Sequence, residues 1–340
     1  MMRRICIIGM LLALLFGCQP PLQDVHFNGS TMGTTWSVSA HSLPENLDPG
    51  RLKNQLQQQL DQVNRLMSTY DPESEVSRFN RSASRDWFTL SQETFEVIEL
   101  AQQVSDLTGG AFDITVGPLV ELWGFGASAR KEKLPSELQV AEQLAKVGYQ
   151  KLELRQKPPA IRKRQPQLQI DLSAVAKGYA VDLLADLLQR NGVINYLVEV
   201  GGELRVSGMR PDKTPWKIAI EKPLEGTREV EKIFPLTGTG LATSGNYRNF
   251  YIENGQRYVH TINPVNGRPI YHQLGSATVL DPACARADAL ATALMVLGEA
   301  RGRQLVEAHH IAAYFLIHDK DAIIEYRSPV FQEFLDKARP

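Results

Sequence analysis

"IAAYFLIHDKDAIIEYRS", residues 311–328, decides the fold class because it contains two strand-like segments on either side of a tight turn. The segments "IAAYFLIHD" and "AIIEYRS" are rich in β-branched and aromatic residues, and Lys320 and Asp321 lie between them. Strand-like segments separated by so few residues are typical of an antiparallel hairpin. We therefore expect the C-terminal part of the chain to form an antiparallel sheet.

The chain upstream of this hairpin repeats the short strands and adds four helices. Strands are predicted at "TWSVSA", "LQIDL", "NYLVEV", "WKIAIE", "RYVHTI" and "SATVL". Those from Tyr196 onward follow one another through short connections, which favours antiparallel pairing over a βαβ series. Helices are predicted at residues 52–70 and 91–107, after "IDLSAVAKG" as far as Gly192, and from Pro282 as far as Gly298. The predicted fold is α+β, with mixed, largely antiparallel sheets flanked by helices.

The composition is that of a globular protein with a large core, since 43% of its 340 residues are hydrophobic. Its 37 basic side chains nearly balance 38 acidic ones, so no basic field favours binding of nucleic acid. The three cysteines are Cys6, Cys18 and Cys284, and the first two lie in the N-terminal segment. Cys284 then has no intrachain partner and is expected to be a small buried residue.

The N-terminus has the pattern of an exported lipoprotein. Arg3 and Arg4 precede an apolar run, residues 5–16, that is too short to span a bilayer but suits a signal-peptide core. The following "LFGC" resembles a lipobox that ends at Cys18; the alternative is an ordinary signal peptide with an incidental cysteine. We predict a signal peptide at 1–17, a lipidated Cys18 with a tether at 18–28, and a single domain at 29–340. Loss of the signal changes the formal net charge from −1 to −3.

Several loops have compositions suited to a ligand. The segment "GSTMGTTW", residues 29–36, has two glycines that would allow the main chain to approach a planar or phosphorylated ligand closely. The alternative is that this segment is a polar β-turn. Tyr70 could be an aromatic platform, and "TGGAFDITVGPLVELWGFG", residues 108–126, offers apolar walls with Asp113 as one polar group. "IDLSAVAKG" is predicted to run from a strand ending at Asp171 into a helix that carries Lys177 in its first turns. That junction suits an anionic ligand, although Ser173 could simply be the helix N-cap.

The helix "CARADALATAL", residues 284–294, places Asp288 and Thr292 one turn apart among small apolar side chains. A carboxylate in such a setting is costly unless it is paired or coordinated. Two alternatives follow: a hard-cation site completed by a backbone carbonyl and substrate phosphates, or a buried salt bridge to an Arg or Lys. Among the histidines, His260 has the most polar sequence neighbours. The basic run at 162–164 is expected to lie on the surface.

Taken in order, these motifs resemble the ApbE family of FAD:protein FMN transferases. The resemblance also covers "MSTYDPESEVSRFN", "YLVEVGGELRVSG", "LATSGNYRN" and "HTINPVNGRP", and extends from about Gly29 beyond Gly298. It implies a T-fold-like α+β domain in which FAD is cleaved at its pyrophosphate, FMN is esterified to a Thr or Ser hydroxyl of an acceptor protein, and AMP leaves. Two other hypotheses for the same site are a FAD pyrophosphatase and a non-catalytic flavin-binding lipoprotein.

The resemblance also assigns roles to residues. It implies flavin contacts at Met32, Tyr70, Ala111, Phe112, Asp113, Asp171, Lys177 and Ile262. It implies Mg²⁺ held by the backbone oxygen of Ala174 with Asp288 and Thr292, and His260 is our candidate for activating the acceptor hydroxyl or assisting at the pyrophosphate. Acceptors in the family include subunits of sodium-pumping NADH:quinone oxidoreductase and related complexes. Such acceptors favour an anchor on the periplasmic side of the inner membrane, whereas Gln19 after Cys18 leaves the outer membrane open.

Overall fold

The structure, a computed structural model, describes residues 24–126, 128, 133–226, 229–320 and 322–337. The predicted signal peptide, Cys18 and most of the predicted tether lie outside the described residues. Across the part of the chain that is described, no helix has the length and apolar character needed to cross a membrane.

The centre of the fold is an eight-stranded sheet in which each neighbouring pair of strands is antiparallel. In spatial order its strands are β1 (Val25–Thr31), β2 (Thr34–His41), β6 (Asn195–Val200), β7 (Glu203–Ser207), β10 (Thr239–Gly245), β15 (Leu274–Asp281), β16 (Ala312–Asp319) and β17 (Ala322–Arg327). The C-terminal hairpin predicted from sequence is formed by β16 and β17. The α+β prediction is confirmed.

Smaller antiparallel sheets surround this one. They comprise β3 (Phe88–Thr89) with β5 (Ala160–Lys163) and β4 (Leu152–Arg155), β8 (Trp216–Glu221) with β9 (Val230–Leu236), β11 (Phe250–Glu253) with β12 (Gln256–Val259), and β13 (Ile262–Asn263) with β14 (Arg268–Pro269).

Eight helices are described, and four of them begin after an Asp or Ser whose side chain caps the first turn. They are α1 (Pro49–Met67), α2 (Glu75–Arg81), α3 (Gln92–Leu107), α4 (Gly117–Leu122), α5 (Glu137–Leu144), α6 (Ala176–Arg190), α7 (Cys284–Ala308) and α8 (Pro329–Lys337). Ser91 caps α3 by accepting from the Thr94 amide, as its position in the sequence predicts. Gly109 and Gly110 then leave the helix with positive φ, which glycine adopts at little cost.

The central sheet is buried on both faces, which explains why β16 is almost continuously apolar. Ala313, Phe315 and Ile317 belong to the core shared with α1, α3, α6 and α7. The alternate residues of β16, including Tyr314 and Leu316, pack on the other face with residues of β8, β9 and α8. Because side chains alternate across a strand, only a strand covered on both faces has apolar residues at consecutive positions.

Three boundaries differ from the sequence predictions. Strand β1 starts at Val25, inside the predicted tether, because Val25–Asn28 pair with residues 37–40 of β2. The first helical segment of α7 ends at Gly298 as predicted, since φ 72° and ψ −177° are non-helical there, but a second segment follows after this kink and extends α7 to Ala308. The sequence "VEVGGELRVSG" predicts one strand whose glycine pair permits a close crossing or a bulge, but the pair forms the two-residue turn between β6 and β7, with φ of 61° and 105°.

The predicted strand at "LQIDL" is wrong, because these residues form no ladder. The side-chain amide of Asn80 takes the place of a partner strand: it donates to the carbonyl of Ile170 and accepts from the Ile170 amide, both at 2.8 Å. The Asp171 amide donates to the Ile114 carbonyl at 2.7 Å. This segment therefore runs as an irregular wall that leads into α6.

Candidate active site

A cavity of about 890 Å³ opens where α6 and α7 pass the ends of β7, β8 and β10. Its wall collects nearly all of the residues that the sequence predicted for a site. They are Tyr70, Ala111, Phe112, Asp113, Asp171, Ala174, Lys177, His260, Ile262, Asp288 and Thr292. A volume of this order is typical of small-molecule sites.

Met32 is the predicted site residue that the structure does not bring to this wall, as far as the described residues show. It forms, with Gly33, the two-residue turn between β1 and β2, at φ of 47° and 69°. Its side chain is half-buried and packs against the main hydrophobic core. The polar β-turn alternative for "GSTMGTTW" thus describes this segment, and a flavin contact by Met32 stays a prediction.

Three charged side chains meet at the bottom of the cavity. The ammonium Nζ of Lys177, on α6, lies 3.2 Å from Oε1 of Glu203 and 3.7 Å from Oδ2 of Asp288. Both carboxylates are buried, with Asp288 only 4% exposed and Glu203 5%. The buried salt bridge predicted as one alternative for Asp288 is therefore present, with Lys177 as the cation.

Burial and mutual attraction set the protonation of this cluster. Burial lowers the pKa of Lys177, but attraction to Asp288 and then Glu203 outweighs it, so the pKa lies above its ordinary value and the ammonium stays charged. Burial raises the pKa of Glu203, and the attraction of Lys177 only partly offsets this. Within the described structure, Oε2 of Glu203 is buried and has no hydrogen-bond partner. Glu203 was not predicted from the sequence; the glycine pair directly before it is the signal that could have indicated it.

Helices α6 and α7 come this close because Gly178 lies at their crossing. A Cβ at position 178 would lie 2.4 Å from the carbonyl oxygen of Cys284 and 2.7 Å from Cα of Ala285. The Gly178 amide donates to Oδ2 of Asp288 at 3.1 Å, so the same contact also orients the carboxylate. Glycine at this position is thus required by the packing of two backbones.

The start of α7 is held by a residue that the sequence analysis did not single out. Asp182, on α6, accepts from the amides of Cys284 and Ala285 at 3.0 and 2.9 Å, which satisfies free donors of the first turn. Asp281, the residue before the predicted helix start at Pro282, accepts from the Ala283 amide just before the helix. Cys284 is buried, as predicted, and burial raises the pKa of its thiol well above the ordinary value.

The oxygen atoms near Asp288 fit a hard divalent cation. Thr292 lies one turn further along α7 and, like Ala174, lines the same cavity. In a regular helix the Gly178 amide would donate to the Ala174 carbonyl, but here it donates to Asp288. No backbone hydrogen bond of the described residues goes to that carbonyl. The described residues contain no group of three His, Cys, Asp or Glu side chains suited to a metal, so a cation here would use one carboxylate with neutral oxygens.

His260 lies between β12 and β13 and presents an imidazole to the cavity. Its Nδ1 is 3.2 Å from the carbonyl oxygen of Asn249. A carbonyl only accepts, so Nδ1 is the donor and Nε2 keeps a lone pair. Burial lowers the pKa of His260, and the positive charge of Lys177 acts in the same direction. The imidazole is therefore neutral at pH 7 and can accept a proton.

Aromatic rings hold the β11–β12 hairpin beside His260. Trp123 stacks on Tyr258, Tyr258 on Tyr251 and Tyr251 on Phe125, with ring centroids 5.2–5.7 Å apart. Phe125 meets His260 edge-on at 6.4 Å. The two tyrosines occupy paired positions on the hairpin, which is the sequence signal for this row. The row fixes the wall that carries His260.

Aromatic side chains lie both at the exposed rim of the cavity and in its buried wall. Tyr70 is 68% exposed at the rim, whereas Phe112 is 2% exposed in the wall. Asp113, next to Phe112, accepts from the Thr115 amide and hydroxyl through Oδ1 and from the Tyr149 amide through Oδ2. Both of its oxygens are therefore engaged within the protein, and Asp113 fixes the shape of this loop.

Asp171 organises the approach to α6, and Ser173 is not the N-cap. Oδ1 of Asp171 accepts from the Ser173 amide and hydroxyl at 2.9 and 2.5 Å. The helix begins later, after Val175, whose φ of −147° places it outside helical geometry. The N-cap position is Val175 and no described side chain caps this helix, so the capping alternative for Ser173 is wrong.

Lys163 corrects the expectation that the basic run 162–164 lies on the surface. Its side chain is 1% exposed, and Nζ donates to the carbonyls of Phe79, Ser82 and Leu168 at 3.1, 2.9 and 2.9 Å. The flanking arginines are partly exposed and pair with Glu153. Lys163 thereby joins the end of α2 to the segment before Asp171, which forms the cavity wall.

Comparison with known proteins adds the following similarities. The ApbE family model matches residues 32–315 of this chain. A relative from Vibrio cholerae, named FAD:protein FMN transferase, is 43% identical over 326 residues, covering 96% of this chain and 97% of that protein. The solved structure of flavin transferase ApbE from Vibrio cholerae matches with a TM-score of 0.86 at 42% identity, covering 93% of this chain and 100% of that one. The apo form of the Pseudomonas stutzeri flavinyl transferase ApbE matches with a TM-score of 0.85 at 37% identity, covering 93% and 98%.

Proposed function

This chain belongs to the ApbE family, and we propose that it is a FAD:protein FMN transferase that moves FMN from FAD onto a Thr or Ser hydroxyl of an acceptor protein. The observation that carries this proposal is one cavity in which aromatic walls, a charged ammonium and a neutral imidazole meet. An aromatic ring system, a diphosphate and a hydroxyl nucleophile need these three kinds of group.

The reaction exchanges one phosphorus–oxygen bond for another. The acceptor oxygen bonds to the phosphorus on the FMN side of the diphosphate, the bridging P–O bond breaks, and the leaving AMP keeps the bridging oxygen. The proton of the acceptor hydroxyl goes to Nε2 of His260 and from there to solvent. Such transfers depend mainly on positioning and on neutralising phosphate charge, because the protein forms no covalent bond to the phosphorus.

The groups of the cavity divide between the two ends of FAD. Tyr70 and Phe112 supply aromatic surface for the isoalloxazine, and Ile262 adds an apolar contact. Lys177 supplies a charged donor to the diphosphate because its raised pKa keeps it protonated. Asp288, Thr292 and the carbonyl of Ala174 would hold Mg²⁺, which when bound neutralises charge on phosphate oxygens.

The acceptor and the location are proposals that rest on the family and on the N-terminal sequence. We propose that Cys18 is lipidated and that the domain is anchored on the periplasmic side of the inner membrane. The acceptors would then be subunits of sodium-pumping NADH:quinone oxidoreductase or a related complex. Gln19 makes outer-membrane sorting the alternative, and membrane fractionation of cells expressing wild type and Cys18→Ala tests both.

Mass spectrometry of an acceptor protein incubated with the enzyme, FAD and Mg²⁺ tests the function. Transfer adds the mass of FMN less water to a Thr or Ser of the acceptor and releases one AMP per adduct. Release of FMN and AMP without an adduct would instead identify a FAD pyrophosphatase in the same site. FAD retained intact, with neither product, would identify a non-catalytic flavin-binding protein.

A further inference from the structure

Glu203 is a buried carboxylate that the proposed reaction does not use. It is the first residue of β7 and follows the Gly201–Gly202 turn at the edge of the cavity. Its Oε1 accepts the Lys177 ammonium at 3.2 Å, while Oε2 is buried without a hydrogen-bond partner in the described part of the chain. A half-satisfied buried carboxylate is costly, so its retention beside a site needs a physical reason.

The same ammonium also contacts the carboxylate that would bind the metal. Nζ of Lys177 lies 3.7 Å from Oδ2 of Asp288, so a divalent cation on Asp288 and the ammonium would compete for one carboxylate and repel each other. Of the two carboxylates that contact the Lys177 ammonium, that of Glu203 is the nearer, at 3.2 Å. A Cβ at Gly201 would lie 3.1 Å from Cδ of Lys177, so the glycine turn leaves room for the lysine stem beside Glu203.

We propose, on the basis of the divalent site proposed above, that Glu203 is a positioning residue that retains the Lys177 ammonium and so frees Asp288 to bind the cation. Glu203 then sets the metal affinity of the site without being a ligand. With Gln at position 203, Lys177 has only Asp288 as an anionic partner among these three groups, and the ammonium blocks the cation.

Binding of Mn²⁺ to the purified full-length chain, followed through the electron paramagnetic resonance signal of free Mn²⁺, tests this role without any turnover. Glu203→Gln should weaken Mn²⁺ binding about 10–100-fold, the range for residues that act on a metal through its ligands. Lys177→Met, and Lys177→Gln as a second variant in case Met impairs folding, should bind Mn²⁺ at least as tightly as wild type. Glu203→Gln added to either lysine variant should change affinity by less than about twofold, the scatter of independent pairs.

Glu221→Gln is the matched control, since it removes one negative charge from the same cavity wall but from a carboxylate paired with Arg248. It should leave Mn²⁺ affinity within about twofold of wild type. If Glu203→Gln weakens binding equally when Lys177 has been replaced, Glu203 acts directly on the metal and the proposed role is overturned. Unchanged affinity in Glu203→Gln, with wild type binding Mn²⁺, overturns it while the metal site stands. Absence of Mn²⁺ binding by wild type would overturn both the metal site and this role.

Discussion

Gly178 lies where α6 crosses α7, and its replacement by alanine tests the geometry on which the site depends. The added methyl group would lie 2.4 Å from the carbonyl oxygen of Cys284 and 2.7 Å from Cα of Ala285, both backbone atoms. Neither can rotate away, so the two helices would have to separate. We expect Gly178→Ala to move Asp288 away from Lys177 and to lengthen the 3.1 Å bond from the residue 178 amide.

Two opposing terms set the size of the effect on stability. Alanine is favoured over glycine in a helix by about 1 kcal/mol. Overpacking costs about 1–3 kcal/mol, and a clash between backbones belongs at or above the upper end of that range. The free energy of unfolding should therefore fall by about 2 kcal/mol, because the clash outweighs the gain in helix propensity.

Urea unfolding of wild type and variant measures this difference, and Mn²⁺ binding measures the displacement of Asp288. Gly302→Ala is the matched control on α7, because a Cβ there meets the ring edge of Phe315 at 3.2 Å, and a side chain can adjust. That variant should be within about 1 kcal/mol of wild type. A Gly178→Ala protein as stable as the control, with unchanged Mn²⁺ affinity, would refute the close crossing as the determinant of the site.

Three further changes test other parts of the structure. His260→Gln should retain FAD binding but slow transfer about 10²–10⁴-fold through loss of the base. Because burial lowers the pKa of His260, the fall of the wild-type transfer rate at acid pH should be centred below pH 6.5. A fall centred above that pH would contradict the assignment of His260 as the base. Lys163→Met should lower the free energy of unfolding by about 1–3 kcal/mol through unpaired carbonyls. Burial lowers the pKa of Lys163 to about 8, against 10.5 for an ordinary lysine, so folding releases a proton at any pH between these two values. The free energy of unfolding of wild type, relative to that of Lys163→Met, should therefore increase as the pH rises through this range. Cys284→Ala should keep transfer activity, and native protein should resist thiol reagents at Cys284; rapid labelling would show that the thiol is not buried as described.

The parts of the fold that the sequence predicted are those in which local pattern and local structure agree. The β16–β17 hairpin and the Ser91-capped helix α3 depend on residues a few positions apart, so their signals are local. The strand order of the central sheet is not local: β2 pairs with β6, about 160 residues later, and β10 lies between β7 and β15. Packing across the whole domain determines which strands become neighbours, and no single segment of the sequence encodes that packing.

The same distinction applies to the errors. "LQIDL" has a strand-like composition, but Asn80, ninety positions away, occupies the hydrogen bonds that a partner strand would need. Lys163 lies in a run of basic residues that reads as surface, yet carbonyls brought together from α2 and the segment after β5 bind its ammonium. In both cases a polar side chain makes hydrogen bonds to backbone groups of another segment that would otherwise pair within secondary structure. The spacing of residues in the sequence gives no signal for such contacts.

For the site, spacing along α7 predicted that Asp288 and Thr292 share a face and that the carboxylate needs a partner. It left open whether that partner is a metal or a basic side chain; the structure has Lys177 beside Asp288, and the proposed metal would use the same carboxylate. Lys177, Glu203 and Asp288 carry a net charge of −1 when all three are ionised, so the ammonium does not neutralise the cluster. With Glu203 ionised, a diphosphate entering this cavity would meet surplus negative charge, which opposes its binding. A divalent cation reverses the sign of the cluster, so the cation and the diphosphate would each strengthen the binding of the other by the same factor. The salt bridge and the proposed metal site are thus two states of one carboxylate, and Glu203 is the group that allows the lysine to leave it.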